Sequence, residues 1–574
     1  PPMSLLRNEP TAYRDLTLDE AIQTALANNR LLRDLGGQLL RSPQNSPTVY
    51  DPALQETDPR FGVEAALSAF DAMYSGSAIF EKNDRALNNQ FFGGGTRLLQ
   101  QDLYVFQNQL TKRTAAGTQL TLRHYTDFDG NNAPGNAFPS AWNSNFETEF
   151  RQPWLQGAGR DFNRIAGPGA VPGNYNGVLI ARVNTDVSLA ELEGGVRNLL
   201  SDVENAYWDL YFAYRDLDAK VVARNTALET WRRIHSLFET GRQGAEKEAH
   251  AREQYFRFEE EVQNALAGIP LDGTRTNNGT SGGTFRGLGG VQTCERRLRL
   301  LMGLVSTDGE LLRPRDEPHP APLKYDWQMM VAESLASRVE LRRQRWSLKR
   351  RELELVASRN YLMPQLDSIG RYRWRGFGDD LIGGPGGRFS SAWSTLLGGD
   401  FQEWQMGVEM SMPLGFRRAH AAVRHAELQV ARERSVLREM ERQVVHDLGT
   451  AAAEIERAFV VVQTTYNRRL AAGEQVRSAQ AAFDADKATL DFVLESQRLL
   501  ADASSRHERA LAEYAVAAKN VEFEKGSLLA SLGVEMAESP WVDRAYRDAS
   551  RNARRLSTGA LNYVMAPART VAAQ

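Results

Sequence analysis

A single cysteine, Cys294, stands among 574 residues, which excludes an intramolecular disulfide and any cysteine-built metal motif. Long apolar runs are missing as well. Nowhere does a stretch approach the roughly 18 consecutive apolar residues that a spanning helix needs. That excludes helical membrane spans but not a membrane β-barrel, whose alternating strands carry only a weak hydropathy signal. Charge of one sign is not in excess either: 69 Lys and Arg face 72 Asp and Glu, a net −3, which gives no electrostatic footing for nucleic acid. The eight histidines are scattered, and His420 and His425, five residues apart, have a poor spacing for sharing a metal on one helix face. No His-Glu-x-x-His occurs. Gly157-Ala158-Gly159 lacks the strand–loop–helix setting of a nucleotide site, and no nucleophile elbow is present. No catalytic residue, metal or cofactor is therefore assigned. The opening Pro1-Pro2 and the polar run after it do not read as a secretory leader, so the cellular address must come from architecture.

What the chain does contain is one long unit written twice. The first copy opens helically at Leu16-Thr17-Leu18-Asp19-Glu20-Ala21-Ile22, the second at Asp326-Trp327. Setting Ile22 against Val331 also pairs Leu26 with Leu335, Ala27 with Ala336 and Leu32 with Leu341. Each helix then meets a proline, Pro59 or Pro364, ahead of strand-like sequence. Proline disfavours helix in the residue before it and removes a backbone donor, so both prolines are expected at helix-to-strand joints.

Strands are expected over residues 61–151 and 365–412. Phe61, Val63, Ala65 and Leu67 would share a face in the first copy, and Trp404, Met406, Val408 and Met410 alternate with Gln405, Gly407 and Glu409 in the second. Gly-rich connections such as Phe91–Gly95 and Gly383–Gly387 lie between. Period-two alternation with aromatics suits a barrel wall with lipid on one face and water on the other. Strands alone would equally suit a soluble β-sandwich.

Each return strand ends in a further proline, Pro153 or Pro413, and a long helical segment follows. Val423, Val430, Leu437 and Val444 recur every seven residues, and Leu448, Ile455 and Val462 resume the seam in a shifted register. A return helix is expected from about Leu490 to Leu529. Pro153 lies 85 residues before Phe238, and Pro413 lies 70 before Phe483. A Gly/Pro/Asn-rich insertion at Asp161–Asn176 accounts for the difference, and this near-equality supports duplication. About 70 helical residues span roughly 105 Å. A hairpin that long must pair with its repeat and with other chains, as in an oligomeric coiled-coil tube.

The organisation read from this is a first repeat over 16–310, with a helical hairpin at 177–303 and a tip near 238–246. The second covers 326–533, with a hairpin at 414–531 and a tip near 483–490. Residues 268–290 are too Gly-rich to pack and read as a loop inserted in a helix return. A basic, irregular tail occupies 534–574.

Three segments, in this order, spacing and duplication, resemble the TolC-like outer-membrane efflux proteins. They are the opening helix Leu16–Leu32, the joint Arg151-Gln152-Pro153-Trp154-Leu155-Gln156-Gly157-Ala158-Gly159-Arg160, and the tip segment Phe483–Gln497. The resemblance covers roughly residues 16–533. It implies an α+β membrane protein, a homotrimer in which four strands per protomer form one 12-stranded barrel in outer-membrane lipid. The hairpins would continue that barrel as a 12-helix tunnel across the periplasm of a Gram-negative-type bacterium. The implied function is the exit duct of a tripartite efflux or type I secretion system, catalysing no reaction and working with a periplasmic adaptor and an inner-membrane transporter. One departure stands out. Leu103–Leu110 and Thr118–Tyr125 flank a turn at Thr114–Gly117, an additional hairpin that either extends the barrel beyond the membrane or adds strands to its wall.

By the same resemblance, Glu495 matches one of two acidic residues that narrow the pore, while Phe492 replaces the other with Asp491 beside it. Symmetry-related carboxylates in a narrow throat would repel one another and attract cations. Adaptor docking is expected at Thr240, Gly241 and Arg242 in one tip and at Ala485, Asp486, Lys487 and Thr489 in the other. The competing expectation is a coiled-coil scaffold of the cell envelope without a pore, and Arg242 and Lys487 read equally well as solvated charges.

Overall fold

Thr17 begins the first helix by satisfying two backbone donors at once. Its hydroxyl accepts from the Glu20 amide and the Glu20 carboxylate accepts from the Thr17 amide, both at 3.2 Å, the reciprocal capping box that heads α1 (Leu18–Asn28). In the second copy Asp326 caps α8 (Trp327–Ser337), accepting from the Met329 amide at 2.9 Å, and α9 (Val339–Asn360) follows after a break at Arg338.

The computed structural model describes residues 5, 12–30, 47–89, 96–167, 169–270, 287–306, 308–383, 386–485, 487–536 and 547. The chain divides into two units, Pro1–Leu528 and Leu529–Gln574, and the first carries every element considered below. The Gly-rich run Phe91–Gly95, most of the 268–290 insertion, Asp486 and nearly all of the C-terminal tail lie outside the described residues.

The expected strand at 61–67 is a helix. Residues Asp51–Thr57 form α2 and Val63–Ser68 form α3, so Pro59 sits in a turn between two helices and not at a strand joint. The Asp58 carboxylate accepts from the amides of Arg60 and Phe61 at 2.6 and 3.0 Å, which bends the chain there. Val63 and Ala66 then pack on Val178 and Ala181. An alanine-rich window of seven residues fits a helical face as well as an alternating strand, and tertiary burial decides between them.

Six strands form one antiparallel sheet: β2 (Ala72–Ala86), β3 (Leu98–Arg113), β4 (Gln119–Asn131), β5 (Ser140–Pro153), β9 (Gln365–Gly378) and β10 (Phe401–Ser411). Their order is β10-β9-β5-β4-β3-β2. The chain thus contributes six strands to the sheet where the resemblance implied four. The additional hairpin, β3–β4, is paired between β2 and β5. Its turn closes with Thr114 N–H to Thr118 O at 2.8 Å and Gly117 N–H to Thr114 O at 2.9 Å, with Gly117 at φ +94.

Between β5 and the next long helix, Arg160–Ala166 form α4. The first part of the expected Gly/Pro/Asn insertion, Asp161–Ala166, is therefore helical, because Phe162, Ile165 and Ala166 bury against Ile180 and Ala357. Then come α5 (Val178–Glu239), α6 (Ala245–Ala267) and α7 (Val291–Leu301). A short ladder of β6 (Ile269–Pro270) with β7 (Gly287–Leu288) joins the last two helices. The second hairpin is α11 (Arg417–Asp484) with α12 (Leu490–Lys525). The 68 residues of α11 span roughly 100 Å. Its seam is built from Leu448, Ala451, Ile455, Ala458 and Val462 against Ala510, Tyr514, Ala517 and Val521. Steps of three and four residues on both helices interdigitate, and the alanines allow close approach.

A small parallel ladder, β1 (Ala12–Leu16) on β8 (Glu310–Pro314), ties the segment before α1 to the segment that follows the first hairpin. No feature of the sequence pointed to it. Tyr207 on α5 locks it, donating to Leu16 O and to the Asp316 carboxylate, each at 3.0 Å.

Where α5, α9 and α12 meet, Arg197 grips Glu340 with two bonds of 2.7 and 3.1 Å, and its guanidinium lies 4.1 Å from the Phe523 ring centroid. Arg338 reaches both Glu340 and Glu524. Burial alone would raise the Glu340 carboxyl, but the Arg197 hydrogen bonds and the Arg197 and Arg338 charges outweigh it and hold the carboxyl down to about 2. A folded value below the ordinary 4.5 means that the stabilisation is complete above pH 4.5 and lost as pH falls from there through about 2. Because Glu340 is about a third exposed, screening reduces the effect to about 1–2 kcal/mol. Hydrogen exchange at the start of α9, corrected for the intrinsic rate, should rise as pH is lowered from 5 to 2.5. Glu340→Gln should remove that dependence, and an unchanged pH profile in the variant would refute the assignment.

Candidate functional site

Three features have the composition of a site: the two faces of the sheet, the joints between strands and helices, and the helical tips. The sheet faces follow from pleating, since successive residues point to opposite sides and cross-strand partners share one. One face carries Phe80, Tyr104, Phe128 and Trp142 as one cross-strand row and Phe146, Trp374 and Tyr372 farther along. Tyr104 stacks on Phe128 with centroids 5.0 Å apart. Trp404, Met406, Val408 and Met410 on β10 are largely exposed on this face. In the 379–400 connection, α10 (Ala392–Gly398) folds back onto the apolar face over Gly376 and Gly378. A Cβ at either glycine would meet the α10 backbone at 2.1 to 2.5 Å.

The other face is an ion-pair ladder. Arg123 on β4 bonds Glu147 and Glu149 on β5 at 2.7 and 2.9 Å. On β9, Arg371 bonds Glu149 at 2.9 Å and Arg373 bonds Glu147. Glu403 on β10 then accepts from Arg373 and Arg375 at 3.1 and 2.7 Å. Sequence reasoning missed this ladder, although alternate-position charges in Glu147-x-Glu149 and Arg371-x-Arg373-x-Arg375 were a readable sign of one polar face.

The strand-to-helix joint of the first copy lies against the helix-to-strand joint of the second. Pro153 ends β5, and just beyond it Trp154 N–H donates to Leu366 O at 2.8 Å and Gln156 N–H to Pro364 O at 3.2 Å. The Trp154 indole donates to Ser368 Oγ at 2.7 Å, and Asn360 Oδ1 accepts from Gly157 N–H at 2.8 Å. Pro364 directly precedes β9. Pro413 follows β10 and is separated from α11 by Leu414, Gly415 and Phe416, where Gly415 and Phe416 both have positive φ.

At the tips the two turns make matching bonds. Arg242 N–H donates to Leu237 O at 2.9 Å, and Lys487 N–H to Ala482 O at 2.8 Å. Such a bond back across the last helical turn ends a helix when one residue adopts left-handed geometry. In the first tip that residue is Gly241, at φ +72. Thr240 and Ala485 are the C-caps, and Thr489 is the N-cap of α12. The tips also touch. Ile234 and Ala251 pack on Leu490 and Leu494, and Arg233 bonds Asp484 at 2.6 Å.

Asp491 and Glu495 lie one turn apart on the exposed side of α12. Asp491 Oδ1 is 2.9 Å from His250 Nδ1, whereas Glu495 pairs with Arg498 on its own helix, at 3.8 Å. The two carboxylates thus share a helix face, but only Asp491 reaches the first hairpin. Among the described residues no three His, Cys, Asp or Glu side chains are grouped as for a metal, and no helix is long and apolar enough to cross a membrane.

No protein-family model and no curated relative matches this chain. Solved structures do match. The CmeC outer membrane channel of Campylobacter jejuni is 15% identical, with a TM-score of 0.53 over 93% of this chain and 89% of that one. The outer membrane protein VceC of Vibrio cholerae is 12% identical, with a TM-score of 0.53 over 89% and 96%. The MtrE outer membrane channel of Neisseria gonorrhoeae, in its open state, is 13% identical, with a TM-score of 0.51 over 89% of each chain. Along about nine-tenths of its length the chain has the fold of these bacterial outer-membrane proteins.

Proposed function

We propose that this chain is the outer-membrane exit duct of a tripartite efflux or type I secretion system. It acts as a homotrimer that catalyses no reaction and needs no cofactor. Its sheets close into a barrel in outer-membrane lipid, and its hairpins run into the periplasm to meet an adaptor above an inner-membrane transporter. The observation that carries this reading is the two-faced sheet, largely apolar on one side and ionic on the other, which leads past Pro153 and Pro413 into helices of roughly 90 and 100 Å. Such a sheet needs lipid on one face and water on the other. Two of the three structures named above are described as outer membrane channels.

On this reading residues 16–310 and 326–533 are two repeats that contribute one hairpin each, with 534–574 as a tail. Glu495 and Asp491 line the periplasmic constriction. Thr240, Gly241, Arg242, Ala485, Asp486, Lys487 and Thr489 form the adaptor-docking tips. Purified chain in planar bilayers should give discrete ion-conducting steps that favour cations. Glu495→Gln with Asp491→Asn should lower that preference about twofold or more by removing the ring of negative charge. An oligomer that passes no current, with or without these substitutions, would overturn the proposal.

A further inference from the structure

We infer that the β3–β4 hairpin belongs to the membrane wall. Three copies then close into an 18-stranded barrel in which β2 of one copy lies beside β10 of the next. This rests on the trimeric channel reading above and goes beyond it in strand number, in the closing seam and in width.

Pairing supports it first. β3 is hydrogen-bonded along Leu98–Lys112 to β2 and along Gln101–Arg113 to β4, and β4 continues onto β5 without a break. Taking the hairpin out of the wall would strip the facing edges of β2 and β5, and bare strand edges are not tolerated in hydrocarbon.

Face chemistry supports it second. Tyr104, Phe106 and Leu110 of β3 and Leu122 and Phe128 of β4 lie on the same side as the apolar residues of β10. Gln107, by contrast, pairs with Tyr125 on the side of Arg123 and the ion-pair ladder. On β3 the side chains on the apolar side between Asp102 and Lys112 are Tyr104, Phe106, Asn108 and Leu110, with Asn108 Oδ1 accepting from the Tyr74 hydroxyl at 2.6 Å. Ten residues at about 3.4 Å rise and a tilt near 40° give a band of roughly 26 Å, the height of an outer-membrane barrel's apolar belt.

The level of the turn supports it third. Gly159 N–H donates to Ala116 O at 3.2 Å, and a Cβ on Gly117 would stand 2.5 Å from Gly157 O. The β3–β4 turn therefore sits on the strand-to-helix joint. The connections at the opposite end, 87–97 and 132–139, are longer. Short turns at the helical end and longer loops at the other are the pattern of an up-and-down membrane barrel.

Six strands are too few to close a barrel alone, since the smallest have about eight. β2 and β10, the ends of the sheet, must then find partners in other copies. At about 4.8 Å between strands and 40° tilt, 18 strands enclose a backbone diameter of roughly 36 Å against roughly 24 Å for 12. The outer mouth would be half again as wide as the resemblance implied, leaving cargo size to be filtered at the helical tips.

The test places single cysteines in a Cys294→Ser background, labels them with an environment-sensitive thiol fluorophore and reconstitutes the oligomer in vesicles containing brominated lipid. Phe106→Cys, Leu122→Cys and the β10 reference Met406→Cys should each be quenched about twofold or more, and Gln107→Cys should not. Quenching at position 406 but at neither 106 nor 122 would overturn the inference and leave the channel reading standing. Absence of quenching at all three, 406 included, would overturn both. Paired cysteines scanned over Ser75 and Ser77 on β2 and Gln405 and Gly407 on β10 should cross-link copies into covalent trimers on oxidation. No inter-copy bond at any pair, or a native mass of two chains, would refute the 18-stranded closure.

Discussion

Arg299→Met is expected to lower the hydrogen-exchange protection of residues 291–316 by about a hundredfold or more, the effect of a loss of 3–5 kcal/mol when one partner of a buried ion pair is removed. The Arg299 side chain is 1% exposed. It contacts Glu295 one turn earlier on α7, grips Asp308 with bonds of 2.7 and 2.9 Å, and donates to Glu310 O at 2.9 Å. One guanidinium thus joins the end of α7 to the start of β8, on which β1 is laid. Methionine fills a similar volume but leaves the buried Glu295 carboxylate without its counter-charge. Burial already pushes the Glu295 carboxyl above the usual carboxylate range, with the Arg299 bond opposing. With that opposition gone Glu295 binds a proton more readily, so the defect should be smaller at pH 5 than at pH 8. Protection equal to the parent at pH 8, or a defect that ignores pH, would count against this account.

The second large effect is expected in the sheet. Glu147 is 7% exposed and sits among three arginines: Arg123 at 2.7 Å, Arg371 at 3.4 Å and Arg373 closer still. Glu147→Leu leaves those guanidinium groups with Glu149 as the remaining central acid, and their mutual repulsion adds to the lost bonds. With the arginines about a third exposed, the cost should be about 2–3 kcal/mol, less than for a fully buried pair. It should appear as a drop of several degrees in the temperature at which the detergent-solubilised oligomer loses its β-sheet circular dichroism. Pairing Glu147→Leu with Arg373→Leu removes one charge of each sign, so the double variant should lose less than the two single losses added together. Strict additivity would mean that the ladder is a row of independent surface pairs.

How far these features could be read in advance depends on how local their physics is. Thr17 with Glu20, and Asp326 with the Met329 amide, announce helix starts within four residues. Val430, Val444, Leu448 and Ile455 mark the seam of α11 by spacing alone, and all are buried. Pro153 and Pro364 flag strand boundaries because a missing donor and a restricted preceding residue act on the chain itself. The residues at 61–67 failed as a strand for the complementary reason. Their alternation is too short to outweigh alanine's helical preference once Val178 and Ala181 offer a surface to cover.

The candidate tip residues could be named from sequence, as could Asp491 and Glu495, but their surroundings could not. The contact of Asp491 with His250 and of Arg233 with Asp484 joins residues some 240 positions or more apart. Such pairs depend on which helix lies beside which, and no local pattern encodes that. The same holds for the arginine–glutamate ladder, whose members were visible but whose partners follow from strand register.

By itself the sequence determined the inventory: alternating strands, long seamed helices, the joints at Pro153, Pro364 and Pro413, and no recognisable catalytic or metal motif. Those properties reside in residue type and spacing over a few turns. The tertiary structure alone decided that the additional hairpin is two further strands of the sheet, that the joints of the two copies lock together, and that β1 docks on β8. Each of these pairs groups far apart in the chain, so the choice among partners is made by burial and hydrogen-bond satisfaction in the assembled fold.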